Sequence, residues 1–107
     1  YENFSLQNVK GTMNAQTCWC NLSTGQVHIV FFIDGITGVT GGQTICTVPS
    51  KYAPATNQRC LCFIANAANG ALNPAFGTIT SAGAIIQNFS SQNIGRALFY
   101  LDYYIAY

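Results

Sequence analysis

The stretch Gly42 to Ile64, GQTICTVPSKYAPATNQRCLCFI, decides how the rest of the chain is read. Thr44 to Val48 is a short β-branched run that stops at Pro49, a residue with no N–H to give to a ladder, and it therefore reads as a strand end. A second apolar run, Arg59 to Ala65, follows. Each residue before a proline is pushed toward extended geometry, so SKYAPATNQ, residues 50–58, reads as a surface crossing rather than a helix. Two strands joined by a proline-framed loop describe one edge of an all-β domain. The lone Tyr52 between Pro49 and Pro54 is expected to be presented to solvent.

On the N-terminal side, residues 1–15 mix polar side chains with isolated Phe4, Leu6 and Val9 and read as a lead-in segment; residues 16–107 read as the β domain. QTCWCNL, the turn Ser23-Thr24-Gly25 and QVHIVFFI form a hairpin pattern. Val27, Ile29, Phe31 and Ile33 share one face of the second strand, and His28, Val30 and Phe32 the other. Both faces are apolar, so this strand is expected to be covered on both sides. DGITGVTGG, residues 34–42, is a glycine-rich loop. Beyond the proline crossing, Asn69-Gly70 signals a type I′ turn, and Pro74 demotes ALNPAFGTI to an edge or bulged strand. Ser81-Ala82-Gly83 turns into AIIQNF, SSQNIG forms another loop, and RALFYLDYYIAY ends the chain. In that last strand Phe99, Leu101, Tyr103 and Ile105 line one face, and Tyr100, Asp102 and Tyr104 the other. Short strands between Gly, Asn and Ser turns, without a helical period, predict an antiparallel β-sandwich or small jelly roll.

A chain of 107 residues makes one domain. Only 7% of its residues are charged and 50% are hydrophobic, against a usual charged share of about 25%. Such a surplus of apolar side chains points to subunit contact, because an obligate interface resembles a core cut in half; the alternative is a neutral, Ala-rich monomer. With net charge +1 and four cations, Lys10, Lys51, Arg59 and Arg96, no basic stripe exists to follow a phosphate backbone, and nucleic acid is not expected as a partner. Runs such as Val27 to Ile33 fall far short of the ~20 apolar residues of a membrane helix, so no membrane insertion is expected and the chain reads as soluble. It opens on Tyr1 without a signal-peptide pattern, as an excised or processed piece of a longer protein would.

Cys18-Trp19-Cys20 and Cys60-Leu61-Cys62 place thiols two residues apart on strand faces. Side by side, such strands would offer two cross-strand bridges or a four-thiolate zinc site. The spacing differs from the C-x2-4-C turns of structural zinc sites, and Cys46 leaves an odd count. The reading favoured here is reduced cysteines filling a core in a protein made in a reducing cytoplasm, with no metal and no cofactor. His28 is the sole histidine, and no nucleophile or phosphate-loop motif is present, so no catalytic residue is assigned. The enzymatic alternative is a glycosidase pair made of Asp34 and Asp102. Asn3-Phe4-Ser5, Asn21-Leu22-Ser23 and Asn88-Phe89-Ser90 match the glycosylation pattern, which an Asn-rich chain produces by chance.

The order of parts resembles the C-terminal head domain of bacteriophage receptor-binding proteins, the tail-fibre or baseplate tip proteins of siphophages that infect Gram-positive bacteria. The residues that carry this are Trp19, the strand–Gly25–strand hairpin, the glycine-rich loop, the strand ending in Thr47-Val48-Pro49-Ser50-Lys51-Tyr52-Ala53-Pro54, the later Ser81-Ala82-Gly83 turn and the tyrosine-rich final strand. The Val48 to Pro54 segment is similar to the L-P-x-x-Y-x-P loop of those heads, with Val48 in the leucine position. Five cysteines and few acidic residues depart from the pattern. The resemblance covers roughly residues 17–107. It implies a homotrimer of β-sandwich heads on an upstream stalk or baseplate, located at the virion tail tip and binding host cell-surface saccharide.

Sugar rings stack their apolar face on aromatic rings while their hydroxyls need Asp, Asn, Gln, Arg or His at the rim. The expected saccharide contacts are Tyr52 first, with Lys51 and Arg59 near enough in sequence to reach hydroxyls or phosphates, then Trp19, Tyr100, Asp102 and Tyr104. Trp19 and Tyr103 read equally well as core. The expected function is a non-enzymatic receptor-binding head. Its rivals are a structural trimerisation cap or virion decoration domain without sugar affinity, and a secreted jelly-roll signalling head.

Overall fold

The computed structural model describes residues 1–36, 42–66, 72–88 and 94–105 of the chain. Eight strands form β1 (Glu2–Asn3), β2 (Thr12–Cys20), β3 (Gln26–Asp34), β4 (Thr44–Thr47), β5 (Gln58–Asn66), β6 (Leu72–Ile79), β7 (Ala84–Gln87) and β8 (Ile94–Tyr104). They make one antiparallel sheet in the order β1-β2-β3-β8-β5-β6-β7-β4. The all-β, antiparallel expectation holds. The facing layers expected of a sandwich are supplied by this single sheet, curled so that its inner face closes on itself.

Each connection within the described residues has a local cause. β2 and β3 are joined through Asn21 to Gly25: the Asn21 N–H donates to the Gln26 carbonyl at 2.8 Å, and Gly25, at φ +78°, donates to the Asn21 carbonyl at 2.7 Å. Between β6 and β7 the Thr80 hydroxyl accepts from the Ala84 N–H at 3.1 Å and the Gly83 N–H donates to the Thr80 carbonyl at 2.9 Å. Gly83 has no room for a side chain, since a Cβ there would lie 2.7 Å from the Val48 carbonyl oxygen. Pro74 sits where β6 has only β5 beside it, as its missing N–H requires; β7 pairs with Gly77 to Ile79 alone. Parts of the glycine-rich loop and of the SSQNIG loop, and the Asn69-Gly70 turn, lie outside the described residues.

The sheet's two ends meet through the chain that leaves β1. Gln7 and Thr47 exchange N–H···O bonds of 2.8 Å in both directions, and the Lys10 N–H donates to the Ile45 carbonyl at 2.8 Å, so this segment covers the free edge of β4. Leu6 adds its side chain to the core. Residues 1–15, which sequence reading set apart as a lead-in, are thus part of the folded body.

The inner face follows the alternation. Val27, Ile29, Phe31 and Ile33 of β3 stand opposite Tyr103, Leu101, Phe99 and Ala97 of β8, all buried. Phe31 and Phe99 lie parallel, ring centroids 4.8 Å apart. Small residues flank the large ones: Cys18 beside Ile29, Cys20 beside Val27 and Cys62 beside Phe99. All five cysteines are buried with free thiols. The two C-x-C pairs are not neighbours, because β3 and β8 stand between β2 and β5.

Tyr52 requires a correction. Pro49 is followed by a 3-10 turn, Ser50–Tyr52, in which the Tyr52 N–H donates to the Pro49 carbonyl at 2.9 Å. The turn swings Tyr52 inward while Lys51 stays outside. Tyr52 is only 4% exposed and stacks on Phe4 at 4.3 Å; its carbonyl accepts the Tyr103 hydroxyl at 2.6 Å. A gap lined by Phe4 and Tyr103 removes far more apolar area from water than a presented loop position would.

Two outcomes are expected. Tyr52→Ala should lower unfolding free energy by about 3–5 kcal/mol in urea titration, as truncation of a buried aromatic does, whereas a loop side chain would change it little. Burial, the first cause in each case, pushes the Cys18 and Cys60 thiols from 9.0 up to about 11 and Cys62 up to about 12; Cys46, also facing Cys18 and Cys60, rises too, and burial raises Tyr103. Groups whose pKa is higher folded than unfolded stabilise fully below the unfolded value and lose that contribution as pH rises through the folded one. The urea midpoint under reductant should therefore fall steadily above about pH 9, and a flat profile to about pH 11 would contradict the thiols' burial.

Candidate functional site

The outer face of β2, β3 and β8 carries a row set by strand register. Trp19 stands opposite His28, and His28 opposite Asp102. His28 Nδ1 lies 2.8 Å from Asp102 Oδ1, and the imidazole stacks on the indole with centroids 5.1 Å apart. Tyr1 meets Trp19 edge-on at 5.0 Å. Alternation explains the row: Cys18 and Cys20 bury, so Trp19 faces out, and Val27 and Ile29 bury, so His28 does.

Next to Asp102 the sheet opens. β5 and β8 pair from Asn66↔Ile94 to Leu61↔Tyr100, and their next bridge is Pro54↔Ile105. Residues 55–60 therefore face the shorter 101–104 across a gap. β5 stays attached to β6 from Gln58 onward, and β8 to β3 as far as Tyr104. The cleft has a volume of about 470 Å³ and is lined by Gln26, Gln58, Asp102, Tyr103 and Tyr104. Tyr104 is 64% exposed. The site offers amide donors and acceptors, a carboxylate, and an exposed phenol ring.

Of the residues expected from sequence, Trp19, Asp102 and Tyr104 come together on this face, and Tyr100 lies two residues along β8 from Asp102. Three do not join them. Tyr52 is buried. Lys51 pairs with Glu2 at 2.6 Å and lies 4.9 Å from the Tyr52 ring centroid, near β1. Arg59 turns toward β6, its guanidinium 4.9 Å from the Phe76 ring centroid. Asp34 and Asp102 are no glycosidase pair: Asp34 binds Arg96 at 3.0 Å, and Arg96 is six residues along β8 from Asp102, about 20 Å at strand rise against the ~5–10 Å such carboxylates need. No group of three or more His, Cys, Asp or Glu able to hold a metal occurs among the described residues.

Sequence reasoning passed over His28 as a site residue, and Gln26 and Gln58 altogether. The alternation of QVHIVFFI already places His28 outward, but its partnership with Asp102, 74 residues away, depends on which strands pair.

A second outer feature lies beside this row. Val30, Tyr100, Leu61 and Phe76 align across β3, β8, β5 and β6, and Phe32, Leu98 and Phe63 form the adjoining row. Leu61, Phe76 and Tyr100 are 51%, 46% and 43% exposed. Among the described residues, nothing supplies the second covering expected for β3 on this face. No model of a known protein family matches this chain, and no curated protein matches it.

Proposed function

We propose that this chain is a non-enzymatic binding head that recognises saccharide on a host cell surface, as the tip domain of a phage tail fibre or baseplate, and that it acts as a homotrimer of sandwich-like heads. The observation that carries the reading is the outward row Trp19–His28–Asp102 beside the open β5–β8 cleft, where rings and hydroxyl-binding groups converge on one rigid sheet. The two apolar rows support the trimer. A contiguous apolar patch on a chain with so few charges is the usual mark of an interface. Five unpaired buried thiols suit assembly in a reducing cytoplasm.

The structural cap keeps one observation in its favour. Tyr52, the aromatic residue of the loop that resembles those of phage heads, serves packing rather than display.

Light scattering at micromolar concentration should give three times the 11.5 kDa chain mass, and Leu61→Lys with Phe76→Lys should reduce it to the chain mass while the β spectrum is kept. A parent protein that is monomeric would end the trimer reading. On a glycan array the trimer should bind, and Tyr104→Ala should weaken binding by about 1–3 kcal/mol without changing mass or melting temperature. An array on which the parent binds nothing would leave the cap.

A further inference from the structure

We infer that the gap where β5 and β8 part takes a neutral sugar residue of a glycan and discriminates against phosphate- or carboxylate-bearing polymers. The inference rests on the saccharide-binding reading above and names its ligand class.

The gap is a break inside a sheet, with both walls held from behind. β5 is fixed by β6 through Gln58↔Ile79 and Arg59↔Thr78, and β8 is fixed by β3 through His28↔Asp102 and Gln26↔Tyr104. Neither wall has a ladder partner across the gap between Leu61↔Tyr100 and Pro54↔Ile105. A volume of about 470 Å³ falls in the ~300–1,000 Å³ range of small-ligand sites. The floor is rigid as well, because Tyr103 is buried and its hydroxyl is held by the Tyr52 carbonyl.

The lining matches hydroxyls. Each sugar hydroxyl both donates and accepts, and the side-chain amides of Gln26 and Gln58 do the same. The Gln58 amide nitrogen is positioned by the Thr56 hydroxyl at 3.2 Å. Asp102 is oriented by His28 through one oxygen, which leaves the other to accept from a hydroxyl in a charge-assisted bond. Tyr104 supplies a ring for the apolar sugar face.

Charge excludes the anionic class. The acidic group that lines the cleft is Asp102, with the His28 imidazole 2.8 Å from its carboxylate. Among the described residues no lysine or arginine lines the cleft. Arg59, the nearest cation along β5, is drawn onto Phe76, and Lys51 is engaged by Glu2. A phosphate or uronate entering here would meet the Asp102 carboxylate with no lysine or arginine among the described lining residues to bind it.

The test titrates the full chain with neutral oligosaccharides of glucose, galactose and N-acetylglucosamine, with poly(glycerol phosphate), and with polygalacturonate. Binding of a neutral member is expected, with affinity changing less than about twofold between about 0.05 and 0.5 M salt, since no ion pair is formed to be screened. Asp102→Asn and Gln58→Ala should each weaken it roughly tenfold or more, at unchanged melting temperature and oligomer mass. Binding of the phosphate or uronate polymer that salt abolishes would overturn the ligand class and leave the saccharide reading standing. Neutral binding that both substitutions leave intact would place the site elsewhere and overturn the inference. Failure of every glycan would overturn the inference together with the reading it rests on.

Discussion

The contact on which the rest depends is the β3–β8 ladder, nine consecutive residue pairs with Phe31 stacked on Phe99 one pair from its centre. Two phenyl rings side by side fill much of the interior of a tightly curled sheet, and the neighbours in the same row must be small. The row reads Phe31, Phe99, Cys62, Ala75 across β3, β8, β5 and β6. Two residue pairs away, Gly77 is glycine for the same reason: a Cβ there would lie 2.9 Å from a Phe99 ring carbon and 2.8 Å from the Ile86 carbonyl oxygen. Overpacking of that kind costs about 1–3 kcal/mol, so the small size of Cys62 and Gly77 suits the aromatic pair.

That ladder also fixes the outside. Side chains alternate with a period of two, so a slip of β3 by one residue against β8 would turn His28 inward and Phe31, with Val27, Ile29 and Ile33, outward. Burying an imidazole and exposing four core side chains is costly enough to hold the register, and the outward row inherits its geometry from the core. Edge closure protects the arrangement. The segment around Gln7 pairs with Thr47 on the otherwise open edge of β4, leaving less unpaired backbone to recruit a foreign strand.

Features that depend on alternation were legible in the sequence. QVHIVFFI and RALFYLDYYIAY showed which of their side chains face together, and hence that Tyr100, Asp102 and Tyr104 point outward, whereas Trp19 read equally well as core. Features that depend on which strands meet were not. The His28–Asp102 pair, the separation of Cys18 and Cys20 from Cys60 and Cys62 by two strands, and the break between β5 and β8 are properties of sheet order. Tyr52 shows the same limit on a smaller scale. Pro49 and Pro54 do restrict the crossing, but two stiff prolines say nothing about the direction in which the ring points. Direction came from a 3-10 turn and from Phe4, a partner 48 residues earlier in the chain. Arg59 likewise chose Phe76, a cross-strand neighbour that local sequence does not reveal.

In the proposed trimer, β8 would divide its outer face between two tasks. Leu98 and Tyr100 belong to the apolar rows, and Asp102 and Tyr104 to the cleft. Two residues along a strand span only about 7 Å, so a neighbouring subunit seated on the rows would stop at the margin of the cleft. Tyr100 then stands at the boundary, with one side available to the interface and the other to the rim of the site. Subunit packing would hold the side chains bordering the cleft in place before a sugar arrives, which lowers the ordering entropy that binding must overcome. A weak site on each head gains most from such an arrangement, because three cleft rims presented together on one rigid tip raise the effective concentration for the second and third contacts with a repetitive surface polymer.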